Sequence, residues 1–248
     1  MVPPEKAPAI AGAFFFSLSL IYGGGIDFGP NEWYNNSVHR YLRKGDTLKD
    51  LFSEIPCLCC DGLALRRLEL CDAEALRVLT GCAEVYRYLP TFLFEKKGED
   101  AEETIRRMYA QNLNESLILG VFSDGSFCGL AEFYGYRAPL RKISVGYRLL
   151  PQYWGKGIAT KTLGLMIDYL FRETDMKIMT ASVMPENRAS ARVLEKNGFR
   201  CVARAVLENW GYPLPTRADK WIRTAAGYRR ADRLNAESGG TSSQEPIP

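Results

Sequence analysis

The sequence predicts a mixed α/β domain, on three observations. A β-branched and aromatic run, Ile143-Ser144-Val145-Gly146-Tyr147-Arg148-Leu149, is stopped by Pro151, as a strand ending at a turn would be. A glycine-rich stretch follows, Gln152-Tyr153-Trp154-Gly155-Lys156-Gly157. From Ile158 the period changes: Ile158, Ala159, Thr162, Leu163, Met166, Ile167, Leu170 and Phe171 recur at three- and four-residue spacing and make one apolar helical face. The loop therefore feeds a helix N-terminus, where unpaired backbone N–H groups and the positive end of the helix dipole attract phosphate.

The other elements follow in chain order. Leu63 to Leu68 alternates as a strand does, and Asp72 is placed to cap a helix running to about Thr80. Glu99 to Asn112 reads as a charged helix with Ile105, Met108 and Tyr109 on one side. Leu117 to Phe122 and Phe127 to Tyr136 form two strands joined across the turn Ser123-Asp124-Gly125-Ser126. After the Ile158 helix comes the strand-like run Lys177 to Val183, then a helix opened by Asn187 and closed by Gly198. Cys201 to Leu207 and Lys220 to Thr224 supply the last strands.

The phosphate ligand is narrowed by what the loop lacks. A mononucleotide loop needs Gly-Lys-Ser/Thr, whereas Lys161-Thr162 follows Thr160; a dinucleotide loop needs a third glycine where Thr160 stands. Gln152, Gly155 and Gly157 instead fit Gln/Arg-x-x-Gly-x-Gly/Ala, which resembles the acetyl-CoA pyrophosphate loop of the GNAT acyltransferases. About thirty residues on, Asn187-Arg188-Ala189-Ser190 and Glu195-Lys196-Asn197-Gly198-Phe199 resemble the Asn-x-x-Ser and Glu-Lys-x-Gly-Phe signature of the same superfamily, in the branch of ribosomal-protein N-terminal acetyltransferases. Two blocks in the right order, each between a strand and a helix, are harder to obtain by chance than either alone.

The resemblance covers roughly Gly62 to Thr224 and implies a single domain, a mostly antiparallel twisted sheet flanked by helices. It implies an N-acetyltransferase that moves an acetyl group from acetyl-CoA to a primary amine, on a protein N-terminus or a small molecule, by direct attack in a ternary complex. The implied cofactor-binding residues are Gly146, Tyr147, Gln152, Gly155, Lys156, Gly157, Ile158, Ala159 and Asn187. The loop would bind pyrophosphate through its backbone, and the strand before it would donate an N–H near Gly146 or Tyr147 to the acetyl carbonyl. Lys156 has two readings, a long-range charge or a solvated lysine.

The chain departs from the family at two catalytic positions. Leu194 stands where many relatives carry a tyrosine that protonates the CoA thiolate, and Ser144 stands where a glutamate base is common. In the ribosomal-protein branch a serine of the Asn-x-x-Ser motif is the proposed donor; Ser190 occupies that position and reads either as the acid or as a capping hydroxyl. Glu132 and Glu208 read either as bases acting through water or as surface carboxylates. The alternative function is a non-catalytic acyl-CoA-binding or sensor module, which would keep the loop and lose the acid and base.

Composition fits a globular domain with appendages: 46% hydrophobic and 25% charged residues provide for a core. A net charge of +3, with no basic run interleaved with aromatics, does not point to nucleic acid. Seven cysteines include Cys57-Leu58-Cys59-Cys60, but no second ligand pair accompanies them and the single histidine is His39, so no metal is expected. Free thiols and an acetyl-CoA ligand suit a cytoplasmic enzyme. Residues 1–61 read as an N-terminal extension. Its apolar run Ala7 to Ile26 ends in three glycines and has only Lys6 ahead of it, so it reads as a poorly ordered or domain-packed extension in preference to a membrane anchor or a signal peptide. No methionine stands between Met1 and Met108, so a start placed too far upstream would require a non-AUG codon. Residues 225–248 read as a solvated tail. A homodimer is left open.

Overall fold

A computed structural model describes residues 55–96, 100–110 and 116–229. The apolar run Ala7 to Ile26, His39 and the tail beyond residue 229 lie outside the described residues. The strands are β1 (Leu58–Cys60), β2 (Leu63–Arg66), β3 (Ser116–Ser123), β4 (Ser126–Arg137), β5 (Lys142–Leu149), β6 (Ile178–Val183), β7 (Arg200–Glu208) and β8 (Thr216–Thr224). The helices are α1 (Ala73–Gly81), α2 (Ala83–Tyr86), α3 (Ala101–Ala110), α4 (Ile158–Asp168), which runs on as a π-helical turn Tyr169–Glu173, and α5 (Arg188–Lys196).

Among the described residues eight strands join one sheet in the order β1-β2-β3-β4-β5-β6-β8-β7, antiparallel throughout except for the β5–β6 pair. The mixed, mostly antiparallel sheet predicted from sequence is thus present, with helices on both faces. Alternation in β3 divides two cores, because successive side chains leave a strand on opposite faces. Leu117, Leu119 and Val121 pack with Ile143, Val145, Leu163, Met166 and Leu170 under α4 and α5. Ile118 and Phe122 pack with Leu68, Leu76, Leu79, Ile105 and Met108 under α1 and α3. Leu163 is fully buried, so its truncation to alanine would cost about 2–5 kcal/mol.

The folded part exceeds Gly62 to Thr224 at both ends. The strand β1 pairs with β2 inside the segment read as extension, with Cys59 opposite Ala64. Residues 225–229 are helical, and Tyr228 is buried with its hydroxyl on Asp168 at 2.6 Å. Both pieces are too short to show a period of their own. Asp72 also departs from its expected role. Its carboxylate turns back to Arg66 (2.9 and 3.1 Å) and to the backbone N–H of Glu69 (2.8 Å) and does not cap α1. A bidentate charged partner wins over a single N–H acceptor role.

Candidate active site

The sheet opens at its one parallel pair. The strands β5 and β6 are in register only over Lys142↔Ile178, Ile143↔Met179 and Ser144↔Thr180. Beyond that rung β5 continues to Leu149 paired only with β4, and β6 continues to Val183 paired only with β8. The Ser144 and Thr180 hydroxyls meet at 2.9 Å at the last shared rung and mark the apex of the opening. Past it, alternate N–H and C=O groups of β5 point into the gap. Gly146 and Tyr147 are adjacent, so one of the two aims its N–H that way. Crevices beyond the carboxyl ends of parallel strands, where connections diverge, are the usual ligand sites of such sheets.

Two helices start at this opening, one from each parallel strand. The loop from β5 to α4 holds Gly155 (φ 73°) and Gly157 (φ 79°) in the left-handed region that glycine adopts without steric cost. Gly157 is the N-cap of α4, with no side-chain cap. Its carbonyl accepts from Lys161 N–H at 3.0 Å, so the N–H groups of Ile158, Ala159 and Thr160 have no intrahelical acceptor. A Cβ on Gly155 or Gly157 would meet no atom within 4 Å, which leaves room for a ligand against the backbone. Lys156 lies 5.7 Å from the Tyr153 ring centroid. Gln152 sits in the short 3-10 turn Pro151–Tyr153 before the glycines.

The start of α5 is built differently. Asn187 Oδ1 accepts the N–H of Ser190 at 3.1 Å, so Asn187 is the cap and Ser190 is the residue capped. The Ser190 hydroxyl is thereby released from a capping role. It hydrogen-bonds the Tyr147 hydroxyl at 2.9 Å, across the opening from α5 to β5. Burial pushes the Tyr147 phenol up to about 12, with the Ser190 hydrogen bond acting in the opposite direction. Leu194, one turn on, is buried and carries no proton.

The opposite face of β5 carries the carboxylates. Glu132 faces Gly146 in the register, and its Oε2 accepts from Arg148 Nη1 at 2.9 Å. Arg148 Nη2 donates to Glu95 Oε2 at 2.7 Å, and Tyr86 donates to Glu95 Oε1 at 3.1 Å. Arg148 and Glu95 are 5% and 1% exposed, so removing the guanidinium would strand buried charge. Glu132 is therefore no surface carboxylate. Burial, partly offset by Arg148, holds its pKa above the usual carboxylate range. Glu208 pairs with Lys220 and accepts the Trp210 indole N–H at 3.2 Å. Glu132 and Glu208 both flank Tyr134, whose phenol is raised first by burial and then by those two charges. A Cβ on Gly146 would stand 3.6 Å from the Tyr134 ring, so the missing side chain keeps this face open beside Glu132.

The opening thus gathers the candidates into two groups. Gly146, Tyr147, Gln152, Gly155 to Ala159, Asn187 and Ser190 surround the helix side, while Glu132 and Glu208 lie on the other. Sequence reasoning pointed to Tyr86 to Gly98 as an acceptor-side loop with no decisive charge cluster, and missed Arg148 and its pairing with Glu95 in that loop. A cationic residue in the middle of an otherwise buried strand was the available sign, since such a charge requires partners. Among the described residues no group of three or more His, Cys, Asp or Glu is placed to hold a metal, and no helix is long and apolar enough to cross a membrane.

A family model described as an acetyltransferase (GNAT) domain matches residues 63–200, more than half of the chain. The chain belongs to the GNAT acetyltransferases. It is 27% identical over 138 residues to YnaD of Bacillus subtilis, an uncharacterized N-acetyltransferase, covering 56% of this chain and 79% of that one. It is 29% identical over 151 residues to YdaF of the same bacterium, whose name assigns it to ribosomal N-acetylation, covering 58% and 80%. Among solved structures, Mycobacterium smegmatis RimJ in complex with CoA-disulfide superimposes with a TM-score of 0.60 at 24% identity, over 74% of this chain and 94% of that one. The spermidine N-acetyltransferase of Vibrio cholerae, in complex with CoA and spermine, does so with a TM-score of 0.57 at 20% identity, over 68% and 98%. These likenesses carry the fold, and the family makes the protein an acetyltransferase.

Proposed function

We propose that the protein transfers an acetyl group from acetyl-CoA to a primary amine by direct attack within a ternary complex. The observation that carries this reading is the parting of β5 and β6 beyond Ser144 and Thr180, which joins the helix side of the sheet to the carboxylate side. Acetyl-CoA enters from the helix side. Its pyrophosphate lies on the free N–H groups of Ile158 and Ala159 and the open backbone of Gly155 to Gly157, with Gln152 and Lys156 at the edge and Asn187 holding the facing helix start. Its acetyl carbonyl takes the N–H from β5 at Gly146 or Tyr147. The amine arrives from the other side, where Glu132 removes its proton through water; Glu208 is the second carboxylate there. Ser190 protonates the departing thiolate.

Holding both reactants at one opening supplies much of the rate, since proximity alone is worth about 7–11 kcal/mol in well-aligned systems. The acceptor is a protein N-terminus or a small-molecule amine, the enzyme works in the cytoplasm, and neither nucleic acid nor a metal is required. The test is turnover with acetyl-CoA, thiol release being followed against a panel of peptide and small amines. Tight acetyl-CoA binding with no turnover on any amine would instead favour the non-catalytic acyl-CoA-binding module. Glu132→Gln and Glu208→Gln separate the two carboxylates: the base loses about 10²–10⁴-fold in kcat, the bystander little.

A further inference from the structure

We infer that Tyr147 and Ser190 act as one proton relay to the departing thiolate, Tyr147 positioning and recharging the Ser190 hydroxyl. This rests on the acetyl-transfer reading above and assigns the Tyr147 side chain a task beyond the backbone role of that strand.

Three observations lead there. First, Leu194 leaves α5 without an acid on the turn after Ser190, and Leu194 is 1% exposed, so no proton reaches the opening from that position. Second, the Ser190 hydroxyl does not cap α5. The cap of α5 is made by the Asn187 side chain on the Ser190 backbone N–H, which leaves the hydroxyl free to bond elsewhere. Third, its partner is the Tyr147 hydroxyl at 2.9 Å, with the Ser190 carbonyl 3.4 Å from the same oxygen. The phenol can donate only one proton at a time, and the carbonyl and the serine oxygen are both acceptors. Either hydroxyl can donate between the two side chains; when the Tyr147 proton points to the serine oxygen, as the relay requires, the Ser190 proton turns outward. Tyr147 belongs to β5 beyond the Ser144 rung and Ser190 to the helix after β6, so the pair spans the gap where the thioester sulfur must lie.

A serine hydroxyl alone is a weak acid, and giving up a proton to sulfur would leave an alkoxide. The relay removes that difficulty. When the tetrahedral intermediate collapses, the C–S bond breaks and its electron pair goes to sulfur. The Ser190 proton moves to sulfur, the Tyr147 proton moves to the serine oxygen, and water returns a proton to the phenolate after CoA leaves. Ser190 ends as a neutral hydroxyl, and the transient charge rests on the more acidic phenol.

A double-mutant cycle on the full chain tests this, with kcat and acetyl-CoA KM measured for wild type, Tyr147→Phe, Ser190→Ala and the double variant, and melting temperature recorded for each. The expected result is a drop of about 10- to 100-fold in kcat for Tyr147→Phe with KM within about twofold, and a double variant no slower than the slower single one. Phenylalanine keeps the ring and the packing. Multiplying effects, or a Tyr147→Phe variant with unchanged kcat, would overturn the relay. So would a loss confined to KM and melting temperature, which a merely structural tyrosine predicts. A wild type that turns over no amine fails the acetyl-transfer reading itself and the relay with it, whereas an active wild type with an unaffected Tyr147→Phe fails the relay alone.

Discussion

The N-termini of α4 and α5 open on the same crevice and are finished in opposite ways. The α5 end is closed by its own chain, Asn187 on the N–H of Ser190. The α4 end is left unfinished: two glycines at positive φ lead into it, and no side chain caps it. A glycine N-cap is only a few tenths of a kcal/mol worse than an asparagine one, and on the proposed function the open N–H groups at α4 are completed by the anion of the co-substrate. The comparison also bears on the serine: because Asn187 does the capping, the Ser190 hydroxyl does not have to.

Four changes break or sharpen that contrast. The largest effect is expected for Ser190→Ala, a drop of about ten- to a thousandfold in kcat with little change in acetyl-CoA affinity or melting temperature. A destabilised but fully active variant would return Ser190 to a structural role. Next is Gly157→Val. A β-branched residue at φ 79° resists the left-handed backbone, and its side chain would fill the space beside the free N–H groups. Acetyl-CoA affinity should fall at least about tenfold, roughly 1.4 kcal/mol, in calorimetry on the folded variant. Unchanged affinity would remove the loop from the site. Asn187→Ala should do the reverse, lowering stability by about 1 kcal/mol in chemical denaturation while acetyl-CoA affinity stays within a few-fold; a large loss of affinity would show that the asparagine holds ligand as well as helix. The smallest effect is expected at Lys156. Replacement by glutamine should weaken acetyl-CoA binding about two- to fivefold at low salt, and the difference should vanish at high salt. No change at either salt concentration would leave it a solvated lysine.

The two helix starts were legible in the sequence because a cap, a glycine turn and an apolar period are all local signals. The same holds for the β3–β4 hairpin and for the glycine loop. What was not legible depends on residues far apart in the chain. Glu95 and Arg148 lie more than fifty positions apart, so the place of Arg148 in a buried strand calls for a partner without saying which. Tyr147 was selected for its backbone, and only the fold brings its hydroxyl to Ser190. Strand β1 is too short to alternate visibly and exists because β2 offers it an edge. Asp72 had the right spacing for a cap, but the chain brought Arg66 within reach and the charge pair prevailed.

The hydroxyl pair of Ser144 and Thr180 works like the stop of a zip fastener: above it, two strand edges face each other without closing. Unsatisfied edges are what foreign strands add to, and proteins ordinarily cover or charge them. On the proposed function the cover here would be the co-substrate itself. A chain holding it at about a hundred times the dissociation constant would gain about 2.7 kcal/mol against unfolding. On the proposed function, acetyl-CoA should therefore raise the temperature at which the protein aggregates, and light scattering on heating with and without it checks this.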